Sequence, residues 1–266
     1  MSASNPDVVT VIPAFEGLDN FRDYGGYATA SGRRLKRGKL YRSAHHARAT
    51  DPDLAALAAL ELSTIVDLRR TDERSRDPSR RHDAFAATVI ENDIEQANED
   101  GYHRMLETSD LSVEALRDYL VGYYEAAPFE PRHIDLYSRY FRALAEADGP
   151  VLIHCAAGKD RTGILAALTH HLLGVAYEDS VADYLLTNDP ANIDRRLNLY
   201  GDYVKTLRGV RPSDDFLRAT LGVEVLYLKT AFDAIKARYG TIDTYLEQAL
   251  GVDAALKAQI EHRLLD

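Results

Sequence analysis

The chain of 266 residues contains one cysteine, two methionines and no tryptophan. A single cysteine cannot close an internal disulfide, and a lone thiol suits a reducing compartment, where it stays free for chemistry. No stretch approaches the roughly 20 consecutive apolar residues of a membrane span, and the N-terminus lacks the basic segment and apolar core of a secretory signal. The expectation is a cytoplasmic protein with no stable membrane insertion. Basic charge is in short supply too: 32 Lys and Arg stand against 42 Asp and Glu, a formal net charge of -10. A duplex-binding surface is normally basic, so nucleic acid is excluded as an expected partner, and an anionic ligand would need a local positive site. Four of the nine histidines form the adjacent pairs His45-His46 and His170-His171, which diverge on a helix and lack ligand spacing; no metal and no cofactor are expected. Linkers and internal repeats are also missing. With 45% hydrophobic and 28% charged residues, one globular domain over 1–266 is expected. Nothing in the sequence sets an oligomeric state.

The informative segment surrounds the lone cysteine: His154-Cys155-Ala156-Ala157-Gly158-Lys159-Asp160-Arg161-Thr162-Gly163. Val151-Leu152-Ile153 before it reads as a short buried parallel strand, and Thr162 to Leu173 after it as a helix that closes at Gly174. A tight loop at a helix N-terminus turns backbone N–H groups and the positive end of the helix dipole toward a tetrahedral dianion. Ala156, Ala157, Gly158, Lys159, Asp160 and Arg161 would form that phosphate cradle, with Gly158 giving the backbone freedom to wrap. Cys155 at its base would be held as a thiolate and become a nucleophile at neutral pH. Arg161, six positions on, offers a planar fork for two phosphoryl oxygens. Thr162 can hydrogen-bond the sulfur, and His154 has an orienting role, its ring bonding nearby backbone. A Walker-type phosphate loop is excluded, since Ile153 and Asp160 stand where it needs Gly and Ser or Thr. A sulfur-transfer loop ordinarily returns to its helix sooner than this spacing allows.

Together with this loop, three further blocks resemble the atypical, lid-bearing bacterial tyrosine phosphatases, whose signature is His-Cys-x-x-Gly-Lys-Asp-Arg-Thr-Gly. They are Asn20-Phe21-Arg22-Asp23-Tyr24-Gly25-Gly26-Tyr27 with Leu40-Tyr41-Arg42-Ser43, then Ile65-Val66-Asp67-Leu68-Arg69 with Glu73, and finally Asp183-Tyr184-Leu185 with Tyr239-Gly240-Thr241 through Tyr245-Leu246. The resemblance covers nearly the whole chain. It implies a cysteine-dependent phosphomonoester hydrolase acting on phosphotyrosine, with phosphoinositides and, weakly, phosphoserine and phosphothreonine as further substrates, so a phosphorylated protein or phosphoinositide is the expected partner. Lys159 is similar to the loop lysine of tensin-type lipid phosphatases, which engages extra phosphates. The alternative, a catalytically idle phosphate-recognition module, would have lost nucleophile, arginine or glycine, and all three are present.

The leaving group needs a proton, and two aspartates compete to supply it. Asp160 matches the position given an acid role in the similar loop of myotubularin lipid phosphatases. Asp67 ends a strand, where active-site side chains of α/β sheets collect. Ion pairing is the structural alternative for each, Asp160 with Arg161 or Lys159 and Asp67 with Arg69 or Arg42.

A coarse pass gives an α/β order: a cysteine-phosphatase-like, mostly parallel central sheet flanked by helices, with a helical lid insertion. Residues 8–48 predict short strands. Asp51 is expected to cap a helix with Pro52 at its first position, and Thr64 to Leu68 is the next strand. A charged, mainly solvated loop over Arg69–Asp83 precedes helices near 112–125 and 133–147. The remainder is helical, including an amphipathic stripe of Val225, Leu228, Phe232 and Ile235. Asp189 to Leu221, with Tyr200, Tyr203, Val204, Leu207, Phe216 and Leu217, falls where the resembled family carries its mobile lid. The alternative there is an ordinary packed helical unit.

Overall fold

The computed structural model describes residues 15–95 and 101–266; the strands expected over residues 8–14 lie outside these. In chain order the elements are β1 (Arg22–Asp23), β2 (Leu40–Ser43), α1 (Asp51–Ala58), β3 (Thr64–Asp67), α2 (Thr71–Arg76), β4 (Thr88–Ile90), α3 (Gly101–Thr108), α4 (Val113–Ala126), α5 (Pro131–Glu146), β5 (Val151–His154) and α6 (Asp160–Leu172). Six more helices complete the described residues: α7 (Tyr177–Leu185), α8 (Pro190–Arg208), α9 (Asp214–Leu221), α10 (Val225–Tyr239), α11 (Ile242–Gln248) and α12 (Ala254–Leu264).

The strands form one sheet in the order β1-β2-β5-β3-β4, parallel except for the β1 edge. Every residue of β2, β3 and β5 is buried, the condition of parallel strands covered on both faces. Alternation along the strands sorts the two faces. Tyr41, Leu152 and Ile65, adjacent in register, join Leu18 and Leu57 in a small core on the α1 side. Arg42, Ile153 and Val66 form the next row and face the other way; Ile153 and Val66 enter the large core, which includes Leu136, Tyr140 and Phe141 of α5 and Ile164, Leu165 and Leu168 of α6. The carboxyl ends Ser43, His154 and Asp67 lie side by side in register. That edge is where α/β sheets gather ligands.

Several local expectations need correction. The α1 cap is Thr50, one residue earlier than Asp51: its side chain accepts from the Asp53 N–H, and the Asp53 carboxylate accepts from the Thr50 N–H, a reciprocal capping box. The charged stretch 69–83 is not all solvated loop. It contains α2, in which Glu73 accepts from the Arg70 N–H at 2.8 Å, and both Arg69 and Glu73 are buried. Val225 leaves the predicted stripe and is exposed at the start of α10, while Leu228, Phe232 and Ile235 are buried. Strand β4 and helix α3 were not anticipated.

Candidate active site

Helix α6 begins at Asp160, two residues before the expected start, so Asp160 and Arg161 occupy its first turn rather than the loop. An acidic residue is favoured there by the helix dipole. Cys155 follows β5 directly and is 2% exposed. Between them the chain turns through Gly158 at φ +68°, where a Cβ atom would lie 2.4 Å from the Ser43 carbonyl oxygen. Only glycine fits.

The back of this loop is bolted to distant segments. The Gly158 carbonyl accepts from Asn20 Nδ2 at 2.8 Å and from Arg42 Nη2 at 3.0 Å. Arg42 and Arg22 both donate to the Asp183 carboxylate, at 2.6 and 2.9 Å. Burial opposes charge on Asp183, yet the two guanidinium groups bring it down to about 2. The N-terminal block and the Asp183-Tyr184 segment, far apart in sequence, thus meet behind the nucleophile loop.

Glu73 sets the attitude of Arg161. Its carboxylate accepts from Nη1 at 2.6 Å and Nη2 at 2.7 Å, and Nη1 also donates to the Leu68 carbonyl at 3.0 Å. Burial depresses the arginine, but the Glu73 charge raises it well above its ordinary value. Of the five N–H groups of a guanidinium, three are used; the two left, on Nε and Nη2, lie along one edge as a fork matched to two phosphoryl oxygens.

The two aspartates differ in environment. Both Asp67 oxygens are engaged by Arg69, at 2.7 to 3.2 Å, and the residue is 1% exposed. Burial works against its charge, while the His154 ring and Arg69 draw it down to about 2. Asp160 is partly exposed, 3.7 Å from Lys159 Nζ, and accepts a hydrogen bond from the Tyr124 hydroxyl at 2.8 Å; that hydroxyl lies 2.6 Å from the one on Tyr184. Tyr184 is seated by Gly163, where any side chain would meet its ring at 2.8 Å. Sequence reasoning missed the Tyr124–Tyr184 pair, and it missed Glu73 as the partner of Arg161. The signals for Glu73 were its place in the second block of the family resemblance and its position three residues after Arg70 in an acidic first turn, and neither pairs it with Arg161.

His154 and Thr162 are placed differently from expectation. Neither His154 nitrogen finds a partner in hydrogen-bond geometry; instead the ring stacks on His46 at 4.5 Å, with the Asp67 carboxylate 3.6 Å from Nε2. Burial pushes His154 down to about 4, so it is neutral at pH 7. Thr162 Oγ1 is buried and unpartnered, and the expected bond to sulfur is not formed. Lys159 turns away from the loop: its ammonium, lowered by burial, donates to the carbonyls of Thr220 at 2.6 Å and Gly222 at 3.2 Å. It ties the loop to the end of α9. Ala156 and Ala157 lie in the turn itself, where the Ala156 carbonyl accepts from the His45 N–H at 3.2 Å. Among the described residues no group of three acidic, histidine or cysteine side chains could hold a metal, and no helix is long and apolar enough to cross a membrane.

A sheet edge that presents a cysteine, a helix N-terminus and a pre-aligned guanidinium has counterparts among known proteins. The family model described as "Tyrosine phosphatase family" matches residues 13–266. The chain belongs to that family. As a family member it is a hydrolase, a cysteine-based phosphatase acting on phosphotyrosine. The phosphatase is 33% identical over 245 residues to a candidate tyrosine-protein phosphatase of Cupriavidus necator, covering 91% of this chain and 85% of that one. It is 31% identical over 262 residues to the triple specificity protein phosphatase PtpB of Mycobacterium tuberculosis, covering 88% and 92% of the two chains. A tyrosine-protein phosphatase of Nostoc commune is 31% identical over 231 residues, covering 84% and 73%. The phosphatase fold and its site edge therefore agree with the mostly parallel, helix-flanked sheet read from the sequence.

Proposed function

We propose that Cys155 attacks the phosphorus of a phosphotyrosine, forming an S–P bond as the P–O bond to tyrosine breaks, and that Asp160 gives its proton to the departing phenolic oxygen. Water then attacks the phosphocysteine, returns its proton to Asp160 and releases inorganic phosphate with the thiolate restored. Loop residues 156–160 and the Nε and Nη2 edge of Arg161 hold the transferring oxygens, while His154 and Thr162 support the base of the loop. The observation that carries this reading is the alignment of Arg161 by Glu73 beside Cys155. Asp160 is favoured as the acid because Asp67 is buried with both oxygens committed to Arg69, which leaves it nothing to offer a substrate. In this reading Asp67 is a positioning residue.

The substrate range extends to phosphoinositides and, weakly, to phosphoserine and phosphothreonine; the name of the triple specificity relative supports that breadth. Residues 189–221, within one domain over 1–266, act as a lid. Supporting this, Leu199, Tyr203 and Val210 are exposed, and the segment meets the loop through the Lys159 ammonium. A second phosphate on an inositol ring would compete with the Thr220 and Gly222 carbonyls for that ammonium, so lipid binding and lid opening share one residue.

Hydrolysis of a generic aryl phosphate tests the core of the proposal. Cys155→Ser is expected to abolish turnover. Asp160→Asn is expected to lower kcat by about 10²- to 10⁴-fold on phosphotyrosine peptides, the usual contribution of a general acid. Wild-type activity in either variant overturns the corresponding assignment. A phosphate-release panel of phosphopeptides and phosphoinositides, run with Lys159→Ala, tests the range: equal losses on both classes would remove the lipid role of Lys159.

A further inference from the structure

The sheet face opposite the large core carries a cavity of about 270 Å³ between α1 and the segment leading into β4. Its walls are apolar, including Leu57, Ile65 and Phe85. Its charged lining is Arg80, Arg81 and Glu61. Arg80 is paired with Asp51 at 2.5 Å. Arg81 is different: it is half-buried, its guanidinium lies 5.0 Å from the Phe85 ring centre, and no carboxylate among the described residues comes within 4.0 Å of it. Its one close side-chain partner is His46 Nδ1, at 2.8 Å. That histidine is fully buried and held neutral by desolvation, so Arg81 gains an acceptor there but no carboxylate in ion-pair contact; Asp67 and Glu91 act on it only from a distance. A partly desolvated cation with no anion in contact is costly, and desolvation lowers Arg81 from its usual value against the weaker pull of the distant Asp67 and Glu91 charges.

We propose that this cavity is a second, non-catalytic binding site for a medium-chain carboxylate, whose head group pairs with Arg81 while its tail lies against Leu57, Ile65 and Phe85. Charge complementarity selects the head and the apolar walls select the tail. At ~30 Å³ per non-hydrogen atom the space holds on the order of ten such atoms, the size of octanoate. The site reaches the residue before Cys155 through one ring, because the His46 ring that Arg81 touches is stacked on the ring of His154.

Calorimetric titration of the full chain with octanoate tests the proposal without relying on turnover. Saturable binding with a dissociation constant at or below about 1 mM is expected for a ligand of this size. Acetate, which lacks the tail, and octanol, which lacks the charge, should bind at least about tenfold more weakly, since a tenfold change needs only one lost contact of modest strength. Arg81→Gln removes the cation, and Ala58→Phe places a ring on the cavity lining from α1; each should weaken octanoate by a similar factor while retaining aryl phosphatase activity, which shows that the variant has folded. The proposal is overturned by absence of saturable binding, by octanol binding as tightly as octanoate, by undiminished binding in both variants, or by displacement of octanoate with orthovanadate, which would place it at Cys155.

Discussion

The two supports of the nucleophile loop are built from different material. Behind it, Asn20, Arg22, Arg42 and Asp183 form a network in which Arg42 is fully buried and most contacts are charge-assisted or carbonyl hydrogen bonds. Over it, α8 and α9 bury Val204, Phe216 and Leu217 but are laced at their surface by open pairs such as Arg218–Asp194, whose side chains are 48% and 59% exposed. The first support cannot lose Arg22, Arg42 or Asp183 without stranding a charge in the interior, whereas water can take up the surface polar groups of the second. The loop rests on the first, and in the proposed function the second is the lid over it.

This contrast can be broken most severely at Asp183. Asp183→Ala leaves two guanidinium groups facing each other, and a loss of about 3–5 kcal/mol in denaturant unfolding is expected; a loss below about 1 kcal/mol would show that the rear network is not rigid. Next, Glu73→Gln removes the charge that aligns Arg161. We expect kcat on aryl phosphate to fall about 10²-fold, in the range of a lost oxyanion donor, with KM for phosphate esters rising less. Acid sharpens the same comparison. Asp67 and Asp183 move from 3.8 to about 2 on folding, so the unfolded chain binds protons more readily, and their stabilisation is complete above about pH 4 and lost as pH falls toward 2, on the order of 2 kcal/mol each. His154, moved from 6.5 to about 4, starts that loss earlier, since it charges readily only when unfolded. Thermal melts should therefore decline from pH 6.5 downward and steepen below 4. Lys159→Met should leave global stability within about 1 kcal/mol but speed hydrogen exchange across 190–221 relative to α6, because one buried tether to carbonyls is removed; a segment as protected as α6 in wild type would argue against a lid. The smallest effect is expected for Arg218→Ala, under about 0.5 kcal/mol.

The strand, loop and helix around Cys155 were legible because each is written locally: a β-branched run, a glycine, and an apolar helix ended by Gly174. The mostly parallel character of the sheet and the helical second half followed from the same kind of pattern, but the strand order and the β4 edge did not. What escaped was long-range. Nothing in the sequence pairs Glu73 with Arg161, 88 residues away, or sets the Tyr124 hydroxyl against Asp160, 36 residues away, because ion pairs and hydroxyl contacts leave no periodicity. The Asp67 and Asp160 alternatives could be separated only by their surroundings: one carboxylate lies beneath an arginine, the other beside a tyrosine at the edge of solvent. The same reason explains α2, whose N-terminal contact comes from a glutamate that a distant arginine holds in place.

Cys155 is both the sole thiol and 2% exposed. A thiol-selective alkylating reagent therefore has a single target, and if the proposed lid gates it, labelling proceeds only through opened molecules. Mass-spectrometric labelling with such a reagent becomes a stopwatch: at high reagent concentration the rate stops rising and equals the opening frequency itself, and a bound phosphate analogue should slow the clock.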